Sequence, residues 1–117
     1  ILVARNDWRY EMAFGPNPAV VRTEDYGQLL CKCGSEYLHQ GDVTIFERHE
    51  DGDITTVIAQ DGPRVQASDS PSADTCNPSP RRHGLIIEFG CEMCGGDGSV
   101  QRLAIFQHKG NTLMEWM

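Results

Sequence analysis

Two close cysteine pairs constrain this chain more than any other feature: Cys31-Lys32-Cys33-Gly34 and Cys91-Glu92-Met93-Cys94-Gly95-Gly96. A turn with one or two residues between its cysteines places both sulfurs on the same side of a point in space. The glycine that follows lets the backbone fold back, with amides free to donate to the thiolates. Zinc takes four soft ligands in a tetrahedron, and two such turns supply them. The spacing predicts Cys31, Cys33, Cys91 and Cys94 as the ligands of a structural zinc ion. The first pair has a one-residue spacer and the second the usual two. If the tighter spacer fails, Cys76 or His39 is placed to take over from Cys31.

Other uses of these thiols stay open at this level. Cys-x-x-Cys is also a thioredoxin-type redox motif. That motif normally opens a helix, and Cys94 is followed by Gly95-Gly96-Asp97-Gly98, which a helix does not tolerate. A Cys31–Cys33 disulfide closes a very small, strained ring. Five cysteines leave one over in any fully paired framework. Cys76, in the loop-like Thr75-Cys76-Asn77-Pro78, reads as that spare exposed thiol. With no signal peptide visible and no open Asn-x-Ser/Thr acceptor, a reduced, cytoplasmic protein is the expectation.

Composition excludes several classes. A chain of 117 residues has room for one core, so a single domain is expected, with 1–28 as an N-terminal extension and 29–116 as the core. Apolar runs such as Leu85-Ile86-Ile87 are far shorter than the roughly 20 residues of a bilayer-spanning helix. The net charge of −7 argues against a protein that coats duplex DNA, which needs a positive surface. Twelve glycines and six prolines favour turns over long helices.

Periodicity then orders the chain. Trp8, Tyr10, Met12 and Phe14 alternate with other residues as in a strand, and Gly15-Pro16-Asn17-Pro18 turns the chain toward a short extended piece at 19–22. Residues 42–48 and 54–59 are rich in β-branched and aromatic side chains and flank His49-Glu50-Asp51-Gly52-Asp53, a hairpin signal. That turn lacks the ligand spacing of a calcium loop. Residues 60–83, poor in apolar side chains and rich in Ser and Pro, predict a long irregular loop. Strands are expected at 85–89, with Leu85, Ile87 and Phe89 on one face, at 100–107, and at 112–116 beyond a tight turn. The fold class is therefore mainly β, an antiparallel meander.

Knuckle, hairpin, second knuckle and a further strand is an order that resembles the zinc ribbon over residues 29–116. It is also similar to small uncharacterised bacterial or phage proteins with a paired-cysteine core. The resemblance implies a β-ribbon closed by zinc on the four cysteines, with the acidic hairpin and residues 60–83 as insertions. It does not specify an activity.

Four cysteines close the coordination shell and leave no position for a reacting water, so the expected zinc is structural and the protein not an enzyme. His39, His49, His83 and His108 each lie in or beside a turn, where a solvated surface histidine is the default, and no nucleophile, phosphate-loop or metalloprotease motif is present. Two surfaces are candidates for binding. Arg81, Arg82 and His83 precede one strand, and His108 and Lys109 lie at a turn between its neighbours. The meander brings Arg82 and Lys109 to one sheet end, where they could hold a phosphate or an acidic peptide. Asp42, Glu47, Glu50, Asp51 and Asp53 make the first hairpin acidic. A protein-interaction module, a subunit or regulator of a larger assembly, is the leading expectation. The alternatives are a nucleic-acid-binding ribbon and a thiol redox protein or small enzyme using Cys91 and Cys94.

Overall fold

The computed structural model describes residues 20–22, 27–95 and 100–117. The strand expected at 8–14 and the turn at 15–18 lie outside the described residues. β1 (Val20–Arg22) and β2 (Gly27–Leu29) form a small antiparallel hairpin. The remaining strands are β3 (Leu38–Glu47), β4 (Ile54–Asp61), β5 (Arg64–Pro71), β6 (Gly84–Cys91), β7 (Val100–His108) and β8 (Asn111–Trp116). They build one open six-stranded sheet in the order β5-β4-β3-β6-β7-β8, antiparallel throughout.

This is two three-stranded meanders, β3–β4–β5 and β6–β7–β8, joined through their first strands. Because β3 and β6 run antiparallel, the start of β3 lies beside the end of β6, and Leu38 stands opposite Cys91. That pairing carries residues distant in sequence to one end of the sheet, in its middle. A bulge between Gln40 and Val43 takes up an irregularity in the β3–β6 register.

Residues directly opposite in adjacent antiparallel strands share a face. On one face lie Phe46, Ile86, Ala104 and Phe106, all buried, together with Thr55. The segment between β5 and β6 covers part of it: Ser79 Oγ donates to the Gln107 carbonyl at 2.6 Å, and Pro78 lies against Gly84. The opposite face carries Leu85, Ile87 and Phe89, as their alternation predicts, with Leu103, Ile105, Met114 and Trp116 beside them. Trp116 is 1% exposed and meets Phe89 edge-to-face at 6.0 Å.

The irregular loop expected at 60–83 is corrected. Its first part completes β4, and Arg64–Pro71 is a regular strand paired residue for residue with β4. A two-residue turn, Gly62-Pro63, links them, with Gly62 at φ +60° as a type II′ hairpin requires. Only a 3₁₀ turn at Ser72–Asp74 and residues 75–83 lie outside the sheet. Hydrophobic patterning misses β5 because it buries almost nothing. Its strand order comes from the backbone ladder, which is blind to side-chain polarity.

Candidate metal centre

The first knuckle is built by a tight turn. The Gly34 amide donates to the Cys31 carbonyl at 2.8 Å, and the Cys31 amide to the Ser35 carbonyl at 2.9 Å. Gly34 takes φ +93°, which a side chain would strain. This closure makes a one-residue spacer sufficient, because it turns both thiols inward. The Cys33 amide approaches Cys31 Sγ at 3.5 Å. The second knuckle begins on the last residue of β6. The Glu92 amide donates to the Tyr37 carbonyl at 3.1 Å and extends the β3–β6 ladder into the knuckle.

The four sulfurs converge across the two turns. Cys31 Sγ lies 3.8 Å from Cys94 Sγ, and Cys33 Sγ lies 3.6 Å from Cys91 Sγ. All four sulfurs lie within 4.8 Å of one another. These separations are far longer than the roughly 2.05 Å of a disulfide, and all five cysteines are free. Zinc–thiolate bonds of about 2.3 Å in a regular tetrahedron place sulfurs about 3.8 Å apart. The closest sulfur pairs match that spacing, so the donor set fits a tetrahedral metal ion.

The electrostatics point the same way. Burial pushes the Cys91 thiol up, but donation by the Met93 and Cys94 amides and by the Cys31 and Cys94 thiols overcomes it and brings Cys91 down to about 6. Cys94, hydrogen-bonded to Cys33 and Cys91 and partly buried, is pushed up to about 12. Burial also raises Cys31. Without a cation the cluster favours one thiolate among thiols, since a second anion would face the first at van der Waals range. A divalent cation removes that conflict and draws the remaining protons off. Cys31 and Cys91 are buried while Cys33 is exposed, so the cluster is sealed on one side and reachable on the other.

The substitutes stand apart. Cys76 is exposed in the loop before β6, as its composition predicts. His39 Nε2 pairs with Glu92 Oε2 beside the cluster, outside its ligand set.

The binding candidates gather at the far end of the sheet. Arg81, Arg82, His108 and Lys109 line one cavity of about 50 Å³ with Glu50 and Gly110. They differ in what they have to offer. Arg81 is taken up by the acidic hairpin, with Nη2 at 2.7 Å from Asp51 and 3.2 Å from Glu50. Arg82 and Lys109 make no ion pair among the described residues. His108 corrects the expectation of a solvated turn histidine: it ends β7 and is 4% exposed. The turn beyond it is only Lys109-Gly110, both at positive φ, so the strand reaches one residue further than its apolar pattern. His83 stands outside this cavity. Its Nδ1 accepts the Arg48 amide at 3.0 Å, which places the proton of the neutral ring on Nε2.

Sequence reasoning missed the tie across the β5–β6 crossing. Arg48 donates to the Gly52 carbonyl at 2.7 Å and the Pro80 carbonyl at 3.0 Å. Arginine capturing backbone carbonyls leaves no spacing signal in a sequence.

No protein family, curated protein or solved structure matches the chain. The described residues contain no helix long and apolar enough to cross a membrane.

Proposed function

We propose that this chain is a zinc-stabilised, non-catalytic protein-interaction module of zinc-ribbon type, serving as a subunit or regulator in a larger assembly. The observation that carries the reading is the convergence of four sulfurs to within 4.8 Å of one another from two glycine-terminated turns. Four thiolates satisfy zinc completely and leave no open position for a substrate or an activated water, so the ion's task is to hold the ends of β3 and β6 together. The structural role also fits the protein's size, since a small β domain with few buried side chains gains folding free energy from a metal. Arg82 and Lys109, at the opposite end, are the residues available to a carboxylate on a partner.

Cobalt substitution tests the reading. Titrating metal-free protein with Co²⁺ should give the strong visible bands of tetrahedral thiolate coordination, saturating at one ion per chain and displaced by zinc. Weak bands of octahedral cobalt, or saturation unaffected by Cys33→Ser, would exclude a four-thiolate site. Hydrolytic or redox turnover that requires the bound metal would contradict the non-catalytic reading.

A further inference from the structure

The four cysteines of the metal centre are unequally sheltered. Cys31 and Cys91 are each 3% exposed, Cys94 is half-buried and Cys33 is exposed. The difference follows from the fold. Cys91 ends β6, a strand in the middle of the sheet, while Cys33 sits in the turn ahead of β3. Solvent therefore reaches the cluster at Cys33, and Cys91 Sγ, on the other knuckle, stands 3.6 Å from its sulfur. Cys76 is also exposed, but it lies outside the cluster. A metal-bound sulfur is held as the thiolate, and a thiolate in contact with solvent is the form that peroxides attack. Cys33 thus combines access for a small oxidant with a second sulfur in reach.

We infer that Cys33 is a peroxide-sensitive modification site, at which oxidation exchanges the metal for a disulfide between Cys33 and Cys91. Hydrogen peroxide gives one oxygen to Cys33 Sγ: its O–O bond breaks, the sulfur becomes a sulfenic acid and hydroxide leaves. The Cys91 thiolate then attacks that sulfur, the S–S bond forms and a second hydroxide leaves. Each sulfur gives up one electron, and the peroxide ends as two waters. With two of its four ligands gone the metal is released, and Cys31 and Cys94 each take up a proton. Four protons are drawn from solvent, two into the waters and two onto these thiols. The return step needs a dithiol reductant and zinc. The new bond joins the same two turns as the metal, across 58 positions of chain, so the start of β3 stays on the end of β6 in both forms. The reaction runs once per reduced chain and is not turnover. It is slow beside the titration of a free thiol, because a bound cation blunts the sulfur as a nucleophile. The inference deepens the zinc-module reading by giving its site a regulation. It rests on that reading for the released metal but not for the disulfide.

The test treats the zinc-loaded full chain with hydrogen peroxide, after its metal content has been measured. A weak chromogenic zinc indicator should report one zinc released per disulfide formed. Remaining thiols are then alkylated and the chain is digested without reduction. Trypsin cuts after Lys32, between Cys31 and Cys33, and a glutamate-specific protease cuts after Glu92, between Cys91 and Cys94, so the fragments identify the bond. The first disulfide to appear should join Cys33 to Cys91, and dithiothreitol with zinc should restore the starting mass and metal content. Cys76→Ser should release zinc at an unchanged rate, and Cys33→Ser several-fold more slowly. If Cys33→Ser does not fold or hold metal, the disulfide map of the unsubstituted chain decides alone. A sample found to be metal-free would count against the zinc reading, while its disulfide map would still decide the inference. Zinc retained while Cys76 alone is oxidised, a first disulfide joining Cys91 to Cys94, or a first disulfide that includes Cys76 would each overturn it.

Discussion

The two meanders that make up the sheet are held by different means. β6–β7–β8 carries most of the core: Ile86, Leu103, Ala104, Phe106 and Trp116 are buried, and Cys91 ends the first of these strands. β3–β4–β5 buries Phe46 and Thr55 and little else, and β5 buries nothing. What holds the β4–β5 arm is its backbone ladder and a set of polar ties. Thr55 and Ser72 share a hydroxyl contact at 2.8 Å, Ser72 donates to the Gly52 carbonyl at 2.7 Å, and Thr56 donates to Asp69 at 2.6 Å. One half is a packed core closed by thiols, while the other is an arm whose order comes from hydrogen bonds. Opening free energy should therefore vary across the molecule, with β6 and β7 amides exchanging through global unfolding and β5 amides through local fraying.

Breaking the metal site should erase that contrast altogether. Zinc binding contributes about 10–16 kcal/mol in zinc-finger peptides at neutral pH, against a total stability of about 5–15 kcal/mol for a small domain. Cys91→Ser, or chelation, should abolish the cooperative thermal transition and release Trp116 from its buried site, followed by fluorescence. A retained transition at an unchanged midpoint would mean that the core folds without the thiols' metal.

Next in size are the packed positions of the C-terminal meander. Phe106→Ala, at a residue 1% exposed, should cost about 3–5 kcal/mol in denaturant unfolding. Val65→Ala on the exposed arm should change stability by less than about 0.5 kcal/mol. Similar costs at both positions would remove the distinction between core and arm.

Gly84→Ala probes the seam between β6 and the segment that crosses it. A Cβ there would collide with Asn77 Oδ1 and stand 2.9 Å from Pro78 Cγ. The crossing segment would have to move, at a cost of about 1–3 kcal/mol. Increased protease access at 75–83 would localise the damage. An unchanged midpoint would show that the cover is loose.

The smallest effect concerns the acidic turn. The Arg81 guanidinium holds the Asp51 carboxyl below its usual range. A carboxyl depressed in the folded state stabilises above its unfolded pKa and loses that contribution as pH falls through the folded value. Asp51→Asn should therefore cost a little at neutral pH and nothing once the solution is acidic enough to protonate Asp51 in the parent. The pair is solvent-accessible, so the difference should be small and fade with added salt. A difference that persists in strong acid would point to a packing role for Asp51.

The same contrast explains what the sequence reveals. Strands that bury one face announce themselves: the alternation of Leu85, Ile87 and Phe89, and of Leu103 and Ile105 against Ala104 and Phe106, is reproduced face for face. The cysteine turns are legible because thiolate spacing and glycine placement follow from coordination geometry. β5 is not legible, because Gln66, Ala67 and Ser68 pair through their backbones with no apolar requirement, so a strand passes for a loop. His108 is misread because a charged, glycine-containing turn beside it pulls the expectation outward, while a two-residue turn lets the strand continue one residue further. The capture of Arg81 by Glu50 and Asp51 joins residues about thirty apart, and only the β3–β6 pairing brings them within reach.

The central claim is that Cys31, Cys33, Cys91 and Cys94 act together on one divalent ion. Metal analysis of the purified chain, combined with thiol titration before and after chelation, tests it most directly. The account predicts one zinc per chain and rapid reaction of Cys76 alone, with the other thiols appearing only when chelator is added. A metal-free, folded protein whose five thiols react together from the start would contradict it.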